Sequence, residues 1–233
     1  MAVPVFARGQ ATTQTTDLMT TDSENNKAPM AITTHFAAAR INLSRLITIA
    51  MIAGLAITDS LWAQQQPWVG HIIALLGWLL VGTGVMGRIW AGSYICGHKN
   101  KKLMMEGPYS LCRNPLYLFS FIGGLGAMLV TQTLLFPALF ALTFLSYYQP
   151  VMRNEEKTLK SIHGESFEAY RQAVPLFWPR SLKFVEPKDY SLDARRFRRF
   201  LIEVIWFIVI AAVVQAVHQL HAVEVLPVWF RVY

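Results

Sequence analysis

Long apolar stretches constrain this chain more than any other feature, because they are too close together to be wrapped by a soluble surface. Five of them approach the roughly 20 residues that a helix needs to cross a hydrocarbon core of about 30 Å. They run from Leu43 to Trp62, Val69 to Trp90, Leu116 to Thr131, Leu134 to Val151 and Phe200 to Leu220. The third and fourth are joined by little more than Thr131-Gln132-Thr133, which predicts a tight helical hairpin, and Gly123, Gly124 and Gly126 would let its two helices approach closely. Only 15% of the 233 residues are charged and 54% are hydrophobic, against roughly 25% charged in soluble domains, so lipid is the expected solvent. The fold class that follows is an all-α, integral-membrane helical bundle of about five spans with amphipathic helices on its cytoplasmic face.

The net charge of +7 raises nucleic acid as a partner, but the distribution argues against it. Lys and Arg gather near the ends of the spans, at Arg40 and Arg45, at Arg88, Lys99, Lys101, Lys102 and Arg113, and from Arg153 through Arg199. The connections at Gln64-Gln65-Gln66-Pro67 and Thr131-Gln132-Thr133 carry no charge. The positive-inside bias then puts the N-terminus, residues 88–115 and residues 152–199 on the cytoplasmic side. Basic span ends also anchor to anionic headgroups, which is the simpler account of Arg195-Arg196-Phe197-Arg198-Arg199.

Residues 1–38 read as a flexible arm and 39–90 as the first two transmembrane helices. Residues 91–180 form the expected catalytic core, with the hairpin and a cytoplasmic lid, and 181–233 a polar connector followed by the last transmembrane helix. Within the lid, Leu159, Ile162, Phe167 and Tyr170 mark an apolar stripe interrupted at Gly164, which predicts two short helices lying at the interface. Cys96 and Cys112 share one loop and lack zinc-ligand spacing, so they are expected to be reduced thiols with no metal. His218 and His221 share a helix face, but with no carboxylate nearby in sequence they read as interface residues.

Chemistry concentrates in two segments that the charge pattern places on one side. In Gly107-Pro108-Tyr109, Gly allows a positive φ and Pro fixes the next φ, so the chain can turn sharply as it re-enters the membrane with Tyr109 at the interface. Asn114 is a good N-cap and Pro115 suits the first helical turn, whose N–H groups could hold a carboxylate. Arg113 reads equally as a headgroup anchor or as an anion-recognition group. Downstream, Arg153, Glu156, Lys157 and Lys160 share a helix face, and a carboxylate there can accept hydrogen bonds from a ribose diol, balance a cation or simply be solvated.

In order, the chain carries Leu103 to Gly107-Pro108-Tyr109, Arg113-Asn114-Pro115-Leu116-Tyr117, an apolar hairpin, Glu155-Glu156, Gly164, Tyr170 and Val174-Pro175 to Pro179. This order and spacing, from about Trp90 to Pro179, resembles the isoprenylcysteine carboxyl methyltransferase and phospholipid methyltransferase superfamily. The resemblance implies a membrane enzyme using S-adenosylmethionine without a Rossmann domain. It implies a cofactor set of Lys101, Lys102, Leu103, Met104, Tyr109, Arg113, Asn114, Pro115, Leu116, Tyr117, Glu155 and Glu156. It further implies Arg153, Arg113 and Glu156 as the catalytic residues, with Arg153 handling the substrate carboxylate. Asn114 stands where the carboxyl methyltransferases have His, and the last span extends past the point where many relatives end.

Methyl transfer to a lipophilic acceptor arriving from the bilayer is the implied reaction, foremost to a carboxylate of isoprenylcysteine type and alternatively to a phospholipid amine. A carboxylate needs no base, whereas an amine must lose a proton, which would make Glu155 or Glu156 the base. Two rivals come from other classes. Membrane sterol reductases carry a similar tail and would use NADPH, and a non-enzymatic scaffold would use these charges only as anchors.

Overall fold

The computed structural model describes residues 46, 49–96 and 103–233. The expected arm over 1–38, and Lys101 and Lys102 of the expected cofactor set, lie outside the described residues. Residues 51–233 form one compact unit, and of the separate unit ending at Ala50 only residues 46, 49 and 50 are described, all helical.

Helical residues 51–57 lead into β1 (Thr58–Ser60), α1 (Leu61–Gln65), α2 (Pro67–Ile95), α3 (Pro108–Leu111), α4 (Pro115–Leu129), α5 (Leu135–Ala173), α6 (Ala194–Ala222) and β2 (Phe230–Val232). The chain is an all-α membrane bundle, and strand among the described residues is limited to one short parallel pair of β1 with β2. Helices α2, α5 and α6 are long and apolar enough to cross a membrane. With 15 residues, α4 covers about 22 Å and falls short of a full hydrocarbon core. The expected first span is only partly described, and its described end is not a single helix. The helix stops at residue 57, because Thr58–Ser60 pairs with Phe230–Val232 and the Ser60 hydroxyl caps α1 by accepting from the Ala63 N–H at 3.3 Å.

The glycines of the hairpin work differently from their expected role. Gly126 faces α2, where a Cβ on it would come within 2.6 Å of the Gly77 carbonyl oxygen, and Gly84 of α2 faces Gly123, where a Cβ would come within 2.4 Å of the Gly123 Cα, while Gly123 itself faces Phe207 of α6. Small residues facing small residues bring the α2 and α4 backbones together, as in close-packed membrane helix pairs. Only Gly124 faces the hairpin partner α5, whose Phe140 ring fills the space a side chain would take. Aromatic rings otherwise fill the α4–α5 contact, with Phe121 to Phe144 at 5.3 Å and Phe144 stacked on Tyr148 at 4.2 Å.

One further expectation is corrected. The first of the two interfacial helices is a direct continuation of the membrane helix, since α5 runs unbroken through Pro150 to a kink at Gly164, where φ +54° suits glycine. Helix α2 continues past Trp90 to Ile95, and the Arg88 guanidinium turns inward toward α4 and α6.

At the opposite end of the bundle, the fold supplies the carboxylate that His218 lacks in sequence. Asp59 Oδ1 lies 3.1 Å from His218 Nδ1, and His221 Nε2 lies 3.0 Å from the Ala56 carbonyl oxygen, so both histidines tie the last helix to the β1 region. The hairpin turn is fixed there too, with the Ser60 hydroxyl donating to the Gln132 carbonyl at 2.6 Å.

Candidate active site

The segment leading into α4 turns at Gly107, which has φ +58° and lies so close to Tyr94 that a Cβ would meet its ring at 2.5 Å. Pro108 starts the short α3, and Pro115 is the first residue of α4. Asn114 occupies the N-cap position but does not cap. Its Nδ2 donates instead to the Leu176 carbonyl at 3.2 Å. The Arg113 N–H donates to the Pro175 carbonyl at 2.9 Å, and the Tyr170 hydroxyl donates to the Tyr109 carbonyl at 2.6 Å. Residues 109–114 are thereby laced to the end of α5 and the Val174-Pro175-Leu176 stretch that follows it.

Arg113 is the centre of this lacing. Its Nε donates to Glu156 Oε1 at 2.5 Å, and its Nη1 donates to the carbonyls of Arg171, at 2.8 Å, and Val174. The side chains of Arg113 and Glu156 are only 10% and 16% exposed, so neither snorkels to headgroups. The planar guanidinium joins the middle of α5 to its end, a geometry that a lysine could not reproduce. One residue earlier on α5, Glu155 accepts from the Tyr117 hydroxyl at 3.1 Å. Arg113 with Glu156 and Tyr117 with Glu155 therefore form two rungs between the start of α4 and one turn of α5. Arg153 is exposed one turn away and belongs to neither rung. Leu103, Met104 and Leu116 are partly buried beside this segment in sequence.

Tyr109 departs from its expected place at the interface. It is buried, its hydroxyl has no hydrogen-bond partner among the described residues, and burial pushes its phenol well above the ordinary range. The group stays a neutral donor at any physiological pH, poised for a ligand oxygen or nitrogen. Cys112 is fully buried, and burial pushes its thiol up to about 12. Maleimide at pH 8 should accordingly modify the partly exposed Cys96 and leave Cys112 untouched in folded protein. Labelling of both would show that residues 107–115 open.

The comparisons with known proteins bear on this geometry directly. A family model described as phospholipid methyltransferase matches residues 65–166, which include α2, the turn, both rungs and most of α5. The cobalt-zinc-cadmium resistance protein CzcN of Cupriavidus metallidurans is 34% identical over 187 residues, 80% of this chain and 85% of that protein. The chain belongs to the isoprenylcysteine carboxyl methyltransferase and phospholipid methyltransferase superfamily. The nickel-cobalt-cadmium resistance protein NccN of Alcaligenes xylosoxydans xylosoxydans is similarly related, 33% identical over 86% of this chain and 92% of that protein. The protein-S-isoprenylcysteine O-methyltransferase of Schizosaccharomyces pombe is 33% identical over 108 residues, 43% of this chain and 46% of that enzyme. No solved structure matches.

For a superfamily member, the donor set fits S-adenosylmethionine. Glu155 and Glu156 offer carboxylates to a ribose diol, and the unpartnered Tyr109 hydroxyl offers a buried donor. Sequence reasoning did not foresee the strap at residues 185–190. The Gly107 N–H donates to the Val185 carbonyl at 2.6 Å, the Val185 N–H donates to the Ser110 hydroxyl at 3.0 Å, and Tyr190 stacks on Tyr94 at 4.4 Å. Read as polar linker, this stretch gave one usable signal, the Tyr190 ring. Among the described residues no group of three or more His, Cys, Asp or Glu side chains is arranged to hold a metal.

Proposed function

We propose that this membrane methyltransferase moves a methyl group from S-adenosylmethionine to a lipophilic acceptor, foremost a carboxylate of isoprenylcysteine type. The observation that carries this reading is the pair of rungs, Arg113 to Glu156 and Tyr117 to Glu155, beside the buried unpartnered hydroxyl of Tyr109. The cofactor supplies an already activated methyl, so the chain's task is to position the acceptor, an effect worth up to about 7–11 kcal/mol in well-oriented systems. Arg113 and Glu156 hold the frame, Glu155 and Tyr109 take the cofactor, and the exposed Arg153 meets the acceptor's carboxylate. By the positive-inside bias, this end faces the cytoplasm.

A phospholipid amine is the second acceptor class, favoured by the description of the matching family model. Glu155, held by Tyr117, would then take the acceptor's proton. The names of the two bacterial relatives suggest that methylation of a membrane component serves metal tolerance. Labelled-methyl transfer to N-acetyl-S-farnesylcysteine and to phosphatidylethanolamine tests the reading. Transfer to the acid should exceed transfer to the amine, and Arg153→Ala should abolish it at least 100-fold while leaving cofactor affinity unchanged. Undiminished transfer by that variant would remove Arg153 from the site.

A further inference from the structure

The end of the bundle opposite the candidate active site holds a cavity of about 520 Å³ that methyl transfer does not use. That volume suits a small ligand. Asp59, His218, Glu224 and Arg231 give it polar walls, and Leu226 and Pro227 an apolar one. Asp59 and Arg231 are register partners in the β1–β2 pair, so both side chains stand on one face of it. They nevertheless form no ion pair. The Asp59 carboxylate, at a residue only 7% exposed, turns to His218 Nδ1 at 3.1 Å. Arg231 is exposed, and its guanidinium has no hydrogen-bond or ion-pair partner among the described residues.

Glu224 adds a carboxylate at a position where the backbone favours another residue. It follows the end of α6 in the left-handed region, at φ +59°, with its N–H donating to the His221 carbonyl at 3.0 Å. The Val225 and Leu226 N–H groups both donate back to the Leu220 carbonyl. Glycine is the residue that suits such a helix-ending turn. The Glu224 side chain is exposed, lines the cavity and has no ion-pair or hydrogen-bond partner among the described residues. A bare anion in this cavity would meet Asp59 and Glu224, and a bare cation would meet Arg231. A zwitterion satisfies both signs.

Position names the source of the zwitterion. Helices α2 and α6 are long and apolar enough to cross a membrane, and Asp59, Glu224 and Arg231 lie just beyond the start of α2 at Pro67 and the end of α6 at Ala222. Lipid headgroups lie at that level. Trp68, Trp229 and Phe230, all more than half exposed, supply the aromatic side chains that membrane interfaces favour.

We propose that this cavity binds the headgroup of a phospholipid carrying a primary ammonium, phosphoethanolamine, from the leaflet opposite the candidate active site. The Arg231 guanidinium pairs with the phosphate. The ammonium donates to Glu224 and to Asp59, whose carboxylate His218 holds in place. An ammonium offers three N–H donors and a trimethylated nitrogen none, so a choline headgroup forfeits these bonds. A glycerol headgroup brings the phosphate but no cation for the two carboxylates. The site recognises a lipid and does no chemistry on it, and it stands independently of the methyl-transfer reading.

Native mass spectrometry of the detergent-purified full chain, titrated with phosphatidylethanolamine, phosphatidylcholine and phosphatidylglycerol, tests this. Wild type should bind the ethanolamine lipid at least ~10-fold more tightly than either of the others, the range expected for hydrogen bonds between charged groups. Arg231→Gln and Glu224→Gly should each weaken that binding about 10-fold. Glu224→Gly should also keep or raise thermal stability, because glycine relaxes the turn, so its loss of lipid is not a loss of fold. Arg153→Ala, at the other end of the bundle, should leave the affinity unchanged. Equal affinity of wild type for the three lipids, or an ethanolamine preference intact in both Arg231→Gln and Glu224→Gly, overturns the proposal. So does a preference that disappears in Arg153→Ala, which would put the lipid at the opposite end. Water-soluble glycerophosphoethanolamine should compete poorly, and displacement of the lipid at equal concentration would overturn the lipid source.

Discussion

Arg113→Ala should destabilise the folded chain by about 3 kcal/mol and abolish methyl transfer. The substitution leaves the Glu156 carboxylate without its partner at 16% exposure, and it strips the donors from the carbonyls of Arg171 and Val174. Both losses loosen the end of α5 from the start of α4, so the stretch that carries Tyr109 would shift with them. Arg113→Lys should recover only part of the stability, because an ammonium cannot reach the carboxylate and both carbonyls together. Thermal unfolding in detergent, followed beside transfer activity, checks the pair of outcomes. Wild-type stability in Arg113→Ala would mean that the rung is an ornament of the fold.

An equally large effect is expected in the middle of the bundle. Gly84→Leu should prevent α2 from seating on α4, because even the first carbon of a side chain would come within 2.4 Å of the Gly123 Cα and 2.9 Å of the Phe119 carbonyl oxygen. Backbone atoms cannot swing aside, so the cost should reach about 3 kcal/mol or more, at the upper end of overpacking penalties. Gly82 supplies the matched control on the same helix. Nothing lies within 4 Å of the carbon a side chain would add there, and Gly82→Leu should stay within about 0.5 kcal/mol of wild type. Comparable loss in both variants would show that leucine itself, and no close approach, is what α2 rejects.

Much of this arrangement was legible in the chain. Apolar length gave the three long helices and the α4–α5 hairpin, because a 20-residue apolar run in water or lipid has few alternatives to a helix. Gly107-Pro108 and Pro115 marked the turn and the helix start correctly, since both residue types act through their own backbone. What failed were inferences about which surface a residue meets. Glycine spacing gave a close helix approach but could not say that α2, instead of α5, makes it. Asn114 has the right chemistry for a cap, yet the Leu176 carbonyl, 62 residues away, takes its amide. Asp59 and His218 are 159 residues apart, a pairing that no local pattern announces. The motif residues were recognised as a set through resemblance, and the two rungs that make them a set became visible only once α4 and α5 were placed side by side.

The central claim is tested most directly by equilibrium binding of S-adenosylmethionine to the detergent-purified chain, with NADPH measured in parallel and with Tyr109→Phe and Glu155→Gln as variants. Saturable binding of the sulfonium cofactor that weakens about 10-fold or more in each variant, with no binding of NADPH, is the result predicted here. Binding of NADPH alone, or of neither cofactor, would contradict it.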